Sequence, residues 1–236
     1  MKTVFHEAES RGYAKHGWLT THHSFSFASY YDTTRMGFGA LRVLNDDAIA
    51  PGSGFGRHGH DNMEIVTIPL SGSLKHEDSM GNSAVVTTGE IQVMSAGTGV
   101  EHAEYNASDT HELTLLQIWI HTETQDVTPR YDQKRFDATE YHNRLFPVVG
   151  NIAEQGTLGI HQDARISLGR FESGQSFSYD LERPGRGVYF FVIEGVATIA
   201  GKTLEKRDAL GVWDTEVVSV TVQTGTFLLV IEVPMR

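Results

Sequence analysis

The chain contains no cysteine. Disulfides, thiolate nucleophiles and cysteine-based metal sites are therefore excluded, and any transition metal must be held by histidine and carboxylate. An absence of disulfides agrees with a cytoplasmic protein. Proline is scarce, at 6 residues in 236. Long apolar runs are missing too: Phe227–Ile231 is far too short to cross a bilayer. The opening segment, MKTVFHEAESRGYAKHGWL, lacks the apolar stretch of a signal peptide, so a cytoplasmic protein with no membrane association is expected. Basic residues are the scarcer charge, 19 Lys and Arg against 30 Asp and Glu, for a net charge of −11. Phosphate contacts draw on Lys and Arg, so direct binding to nucleic acid is not expected. A protein partner remains compatible with an acidic surface.

What is present is glycine, at 24 residues, amid many Val, Thr, Phe and Tyr. That mixture predicts short strands and tight turns rather than long helices. Strand-like runs fall at Gly39–Leu44, Glu64–Leu70, Ala84–Thr87, Glu90–Ser95 and Leu113–His121. Others follow at Arg165–Phe171, Val188–Ile193, Ala197–Ile199, Val217–Val222 and Thr226–Val233. Turn-forming groups such as Pro51-Gly52-Ser53-Gly54 and Met80-Gly81-Asn82 separate them. Many short strands at this spacing predict an all-β sandwich or barrel. The more polar stretch 122–157 is expected to connect two domains. A faint repeat supports two: Glu64–Gly72 resembles Val188–Gly195, and His111–His121 parallels Gly225–Val233.

Two short histidine motifs carry the chemistry. His58-Gly59-His60 follows a glycine-rich turn, and side chains two apart on a strand share a face. His102-Ala103-Glu104 repeats that geometry further on, at a separation suited to a neighbouring antiparallel strand. Three imidazoles and one carboxylate suit Fe(II), Mn, Ni, Cu or Zn with positions left open. Glu64 is the rival carboxylate, at an even offset from His60. Asp61 and Glu101 stand at odd offsets and should point away. A single His-x-His is more often surface or satisfied core; the second pair is what lifts the pattern. His76, His111, His121, His142 and His161 have no partner at ligand spacing and are expected to be surface or structural. Trp18, His22, His23, Phe25 and Phe27 form an aromatic, His-rich segment, expected to be strand packing more often than pocket lining.

The first motif, Gly52, His58, His60, Glu64 and Gly72, resembles the first cupin motif, with one extra residue before its last glycine. Gly99, His102 and Asn106 resemble the end of the second, with Gly97 where a proline would stand. A closer resemblance is to the pirin family, and in particular to bacterial pirin-like quercetinases. It rests on Gly17–Leu19, His23–Phe27, Tyr30–Asp32, Gly37–Gly39 and Leu41–Asp47. Gly54–Gly56, His76–Gly81, Met94–Gly99, His102–Asn106, Gln117–Ile120 and Pro129–Tyr131 extend it across the first half.

The resemblance implies a bicupin: two antiparallel β-barrels, with a metal-binding domain over 1–130 and a metal-free one over 131–236. There is no histidine between Phe177 and Val233 to contradict the latter. It implies His58, His60, His102 and Glu104 as the ligands of one divalent ion, Fe(II) in the usual case, with Zn, Mn, Ni, Cu or Co as other possibilities. Glu64 would then lie behind the site rather than in it. The implied activity is a dioxygenase reaction: a flavonol such as quercetin gives up its hydroxyl proton to Glu104, reacts with O2, opens its heterocycle and releases CO. The other activity found in the family is regulatory, a metal-binding module that docks on a protein partner. A monomer is expected.

Overall fold

The computed structural model describes residues 1–235, which form twenty-two strands and one 3-10 turn, Ala8–Ser10. The predicted all-β class is what the chain adopts, and no helix is long and apolar enough to cross a membrane. The first strands are β1 (Lys2–His6), β2 (Gly12–Lys15), β3 (Leu19–His23), β4 (Leu41–Ile49), β5 (Gly54–His60) and β6 (Met63–Ser71). Next come β7 (Ser73–Asp78), β8 (Ser83–Thr87), β9 (Glu90–Ser95), β10 (Val100–Asn106), β11 (Leu113–His121) and β12 (Arg130–Arg135). Then follow β13 (Phe146–Asn151), β14 (Leu158–Ile160), β15 (Arg165–Phe171), β16 (Gln175–Asp180) and β17 (Arg186–Glu194). The last are β18 (Ala197–Ile199), β19 (Lys202–Leu204), β20 (Ala209–Trp213), β21 (Val217–Val222) and β22 (Thr226–Pro234).

Hydrogen bonding sorts them into four open sheets. A seven-stranded sheet, β12-β9-β6-β11-β4-β3-β2, packs on the four-stranded β5-β10-β7-β8. A second seven-stranded sheet, β1-β20-β17-β22-β15-β13-β14, packs on the four-stranded β16-β21-β18-β19. The order repeats except at one outer edge, where β14 runs parallel to β13 while β2 runs antiparallel to β3, so the two halves are built on the same module. The ladders do not close on themselves, so the barrels expected from the resemblance are, in hydrogen bonding, pairs of open sheets. The two large sheets pack back to back through alternate residues, such as Leu44, Val66, Leu116 and Ile118 against Ile166, Phe191, Leu229 and Ile231.

The edge strands cross between modules. β1, at the start of the chain, pairs with β20 in the second large sheet. β12 lies in the stretch expected to be a connection, yet it pairs with β9 at the edge of the first large sheet. Its composition, Arg-Tyr-Asp-Gln-Lys-Arg, hides its strand character: edge strands carry charge to discourage further pairing.

His6 ties β1 into its host sheet. Its Nδ1 lies 2.8 Å from the Tyr189 hydroxyl, and its ring meets Phe25 edge-on. Burial, reinforced by the Arg35 charge, holds its pKa down to about 4. The unfolded chain takes up this proton near pH 6.5, before the folded one does, so the stability contributed by neutral His6 is intact above that pH. It is lost as pH falls toward 4, at a total of roughly 3 kcal/mol. A His6→Gln variant should flatten the stability curve between pH 6.5 and 4.5, measured by urea denaturation; an unchanged acid limb would count against this.

Candidate metal centre

The interiors of the two modules differ in kind. In the second, one continuous apolar cluster of Val188, Phe190, Leu210, Val218, Val220, Leu228 and their neighbours fills the space between sheets. In the first, the apolar core splits into two small clusters, Leu19/Ile49/Leu74/Leu115 at one end and Ile65/Met94/Ala96/Val100 at the other. Between them lies a buried polar layer: Asn45, Asp47, Thr67, His76, Gln92, His102, Glu104 and Gln117.

Register builds this layer. On β10, His102 lies opposite His58 of β5 on one side and Asp78 of β7 on the other. Glu104 lies opposite His76. Nitrogen atoms of His58, His60 and His102 lie within 4.8 Å of one another, and so do ligand atoms of His76, His102 and Glu104. His102 is common to both groups. His60 Nε2 and His102 Nε2 are 3.0 Å apart. Two nitrogens each about 2.1 Å from one ion, at right angles to each other, would be separated by about 3.0 Å. That spacing fits one transition metal between His60 and His102, whereas Glu104 groups with His76 and His102 rather than with His58 and His60.

Electrostatics agree with that use. Burial, with the neighbouring imidazoles, pushes His60 down to about 4 and His102 down to about 3. Both rings are neutral at physiological pH, the state a metal requires. His58 Nδ1 lies 2.8 Å from the Gly56 carbonyl and donates to it, which turns the Nε2 lone pair toward the cluster. Glu104 is buried and held by three donors: Gln117 Nε2 at 2.8 Å, Gln92 Nε2 at 3.1 Å and Thr67 Oγ1 at 3.4 Å. The amides are themselves oriented, Gln117 by the Trp119 indole N–H at 3.1 Å and Gln92 by the Tyr131 hydroxyl at 3.3 Å.

A cavity of about 450 Å³ opens beside the cluster, within the size range of small-molecule sites. Trp18, Phe27, Phe55 and Trp119 give it aromatic walls, while His58, His60, Glu104 and Gln117 line its metal side. Trp18 and Phe27, expected as strand packing, thus line the cavity, and so does His23. Phe25 is core, as expected, and His22 packs against Tyr13.

The rival carboxylate Glu64 is elsewhere. The chain turns at Asn62, which has φ +44°, and passes from the four-stranded to the seven-stranded sheet, so the parity counted from His60 does not carry across. Glu64 instead accepts a hydrogen bond from the Ser95 hydroxyl at 2.6 Å and lies 3.6 Å from His161 Nδ1. Both Glu64 and His161 thus have a structural partner that the sequence did not reveal. His76, expected to be surface or structural, joins His102 and Glu104 in one group of ligand atoms. It is buried, stacks on Tyr131 and lies 3.2 Å from Asp78 Oδ2, so it is no surface residue. The His-x-Asp spacing of His76 and Asp78 was a signal, but its meaning depends on the pairing of β7 with β10.

Comparison with known proteins places the whole chain. Residues 4–120 match the model of the pirin family, and residues 148–233 match that of the quercetinase C-terminal cupin domain. The chain is 43% identical to the quercetin 2,3-dioxygenase of Escherichia coli K12, over 97% of each protein. This chain belongs to the pirin family. It is also 40% identical to a putative quercetin 2,3-dioxygenase of Pseudomonas aeruginosa, over 94% of this pirin and 95% of that protein. Among solved structures, bacterial pirin YhhW of Escherichia coli in complex with nickel(II) superposes with a TM-score of 0.94 at 40% identity, over all of both chains.

In the second module of this pirin the strand matching β10 is β21, whose inward residues are Val218, Val220 and Val222. Ile199 faces Val220 as His76 faces Glu104. Valine and isoleucine offer no lone pair, so these positions supply no equivalent donor set among the described residues. Replacing Gln117 by Leu would remove the shortest donor to Glu104 and leave the Trp119 N–H unpaired. Metal-free Gln117→Leu should lose about 1–3 kcal/mol of stability in thermal or urea unfolding. Wild-type stability would show that Glu104 does not depend on this contact.

Proposed function

We propose that this pirin is a metal-dependent dioxygenase that cleaves flavonols such as quercetin with O2 and releases CO. His58, His60, His102 and Glu104 hold one divalent transition metal. The observation that carries the reading is the fixed, buried carboxylate beside neutral imidazoles at the edge of an aromatic cavity. The names of the relatives point the same way. Fe(II) is the ion the resemblance suggests, with Ni(II) next because a relative binds it.

When bound, the metal supplies positive charge that favours the ionised form of the substrate hydroxyl. Glu104 takes the hydroxyl proton; Gln92, Gln117 and Thr67 fix its direction. Trp18, Phe27, Phe55 and Trp119 hold the planar rings and keep water from the electron-rich substrate. The same reading takes the protein as a cytoplasmic monomer of two cupin domains, 1–130 and 131–236, which share edge strands.

The test is to load purified protein with Fe(II), Ni(II), Mn(II), Co(II), Cu(II) or Zn(II) in turn and follow flavonol absorbance and CO under air. At least one metal should give turnover. Glu104→Gln should lose about 10²-fold or more in kcat while keeping the wild-type circular dichroism spectrum. Undiminished flavonol oxidation by that variant would remove Glu104 from its role. Inactivity of wild type with every metal would favour the protein-docking activity instead. Light scattering at the mass of one chain is expected.

A further inference from the structure

The cavity has a second polar wall, on the sheet opposite the imidazoles. His58, His60 and Glu104 project from β5 and β10 of the small sheet, whereas Thr21 and His23 of β3 and Asn45 and Asp47 of β4 line the cavity from the large sheet. Three of these four are accounted for. His23 Nδ1 lies 2.8 Å from Asn45 Oδ1 and 3.5 Å from the Thr21 hydroxyl. Asp47 is not. It is 3% exposed, and its Oδ1 has no hydrogen-bond partner among the described residues. Thr21 reaches the carboxyl from the adjacent strand.

The neighbouring Asp46, which points the other way along the strand, takes the cations, with Arg207 at 2.9 Å and Arg11 at 3.2 Å. No ion pair to Asp47 occurs among the described residues. Burial also pushes its pKa up to about 7, as expected for a carboxyl without a cation. A buried acceptor left short of donors is costly, and apolar residues would fill such a position at lower free energy. Its presence beside a ligand-sized cavity points to a donor that arrives with the ligand.

The rest of the cavity defines that ligand. Glu104 and Asp47 both bring carboxyl oxygens to the lining, so the space favours a ligand rich in hydrogen-bond donors. The aromatic walls favour flat rings. Resting on the dioxygenase reading above, we infer that Asp47 is a specificity-determining residue that accepts a hydrogen bond from a hydroxyl of a neutral polyhydroxylated aromatic substrate, on the part facing away from the imidazoles. Sites that hydrogen-bond a substrate hydroxyl reject the analogue lacking it far more strongly than apolar sites sense a missing methylene.

The experiment is a deletion cycle over protein and ligand. Nickel(II)-loaded wild type, Asp47→Asn and Asp47→Leu are compared on quercetin and on flavonols that lack, one at a time, each hydroxyl other than the one at the 3-position. Two readouts are taken: anaerobic dissociation constants from quenching of tryptophan fluorescence, and kcat/KM in air. Nickel content of each variant is measured in parallel. In wild type, loss of one particular hydroxyl should weaken binding by about tenfold to a hundredfold. In Asp47→Leu that ratio should collapse to within about threefold, and Asp47→Asn, which keeps an acceptor, should fall between. An absence of discrimination in wild type, or the same pattern in wild type and Asp47→Leu, overturns the inference. The two readings fail separately: binding discrimination without turnover would refute the dioxygenase assignment and leave Asp47 in place, whereas turnover with unaltered discrimination in Asp47→Leu would do the reverse.

Discussion

Glu104, a buried carboxylate held by two amides and a hydroxyl, is the constraint around which the first module is organised. A carboxylate removed from water without donors would be strongly destabilising. Supplying the donors demands Gln92 on β9, Gln117 on β11 and Thr67 on β6 at set positions, and the two amides need support of their own, Gln117 from Trp119 and Gln92 from Tyr131. A half-satisfied network of this kind is worse than an apolar core, so its members stand or fall together. The neutral imidazoles follow from the same burial, which with the neighbouring rings keeps His60 and His102 unprotonated.

The second module shows what the fold does without that constraint. Apart from one outer edge the sheets match in order, but valines on β21 and isoleucine on β18 replace the donors, and one apolar cluster spans the interior. The first module retains only small apolar clusters above and below its polar layer. The back-to-back packing of the two large sheets, with exchanged edge strands β1 and β12, joins the polar module to the apolar one through the largest core of the molecule. A site of costly groups is thus mounted on a scaffold whose stability lies largely elsewhere, which agrees with the usual trade between site and core.

Much of this was legible in the chain itself. Glycine-punctuated runs of Val, Ile, Phe and Thr marked most of the strands, and His58-x-His60 and His102-x-Glu104 marked the strands that meet at the cluster. The misreadings share one cause. Glu64 keeps the right parity with His60 only if the strand continues, and it does not: the chain turns at Asn62 into another sheet. Arg130–Arg135 reads as a connection because an edge strand has no need of apolar alternation.

The sequence by itself determined the all-β class, the absence of any cysteine chemistry, and the two local pairs of donors, because strand period and residue chemistry act over two or three positions. Only the tertiary structure decided that His76 faces Glu104, that Glu64 turns to Ser95 and His161, and that Asp47 rather than Asp46 lines the cavity. These outcomes depend on register and on which sheet a strand joins. Both are set by packing between segments far apart in the chain, and spacing along the chain does not encode them.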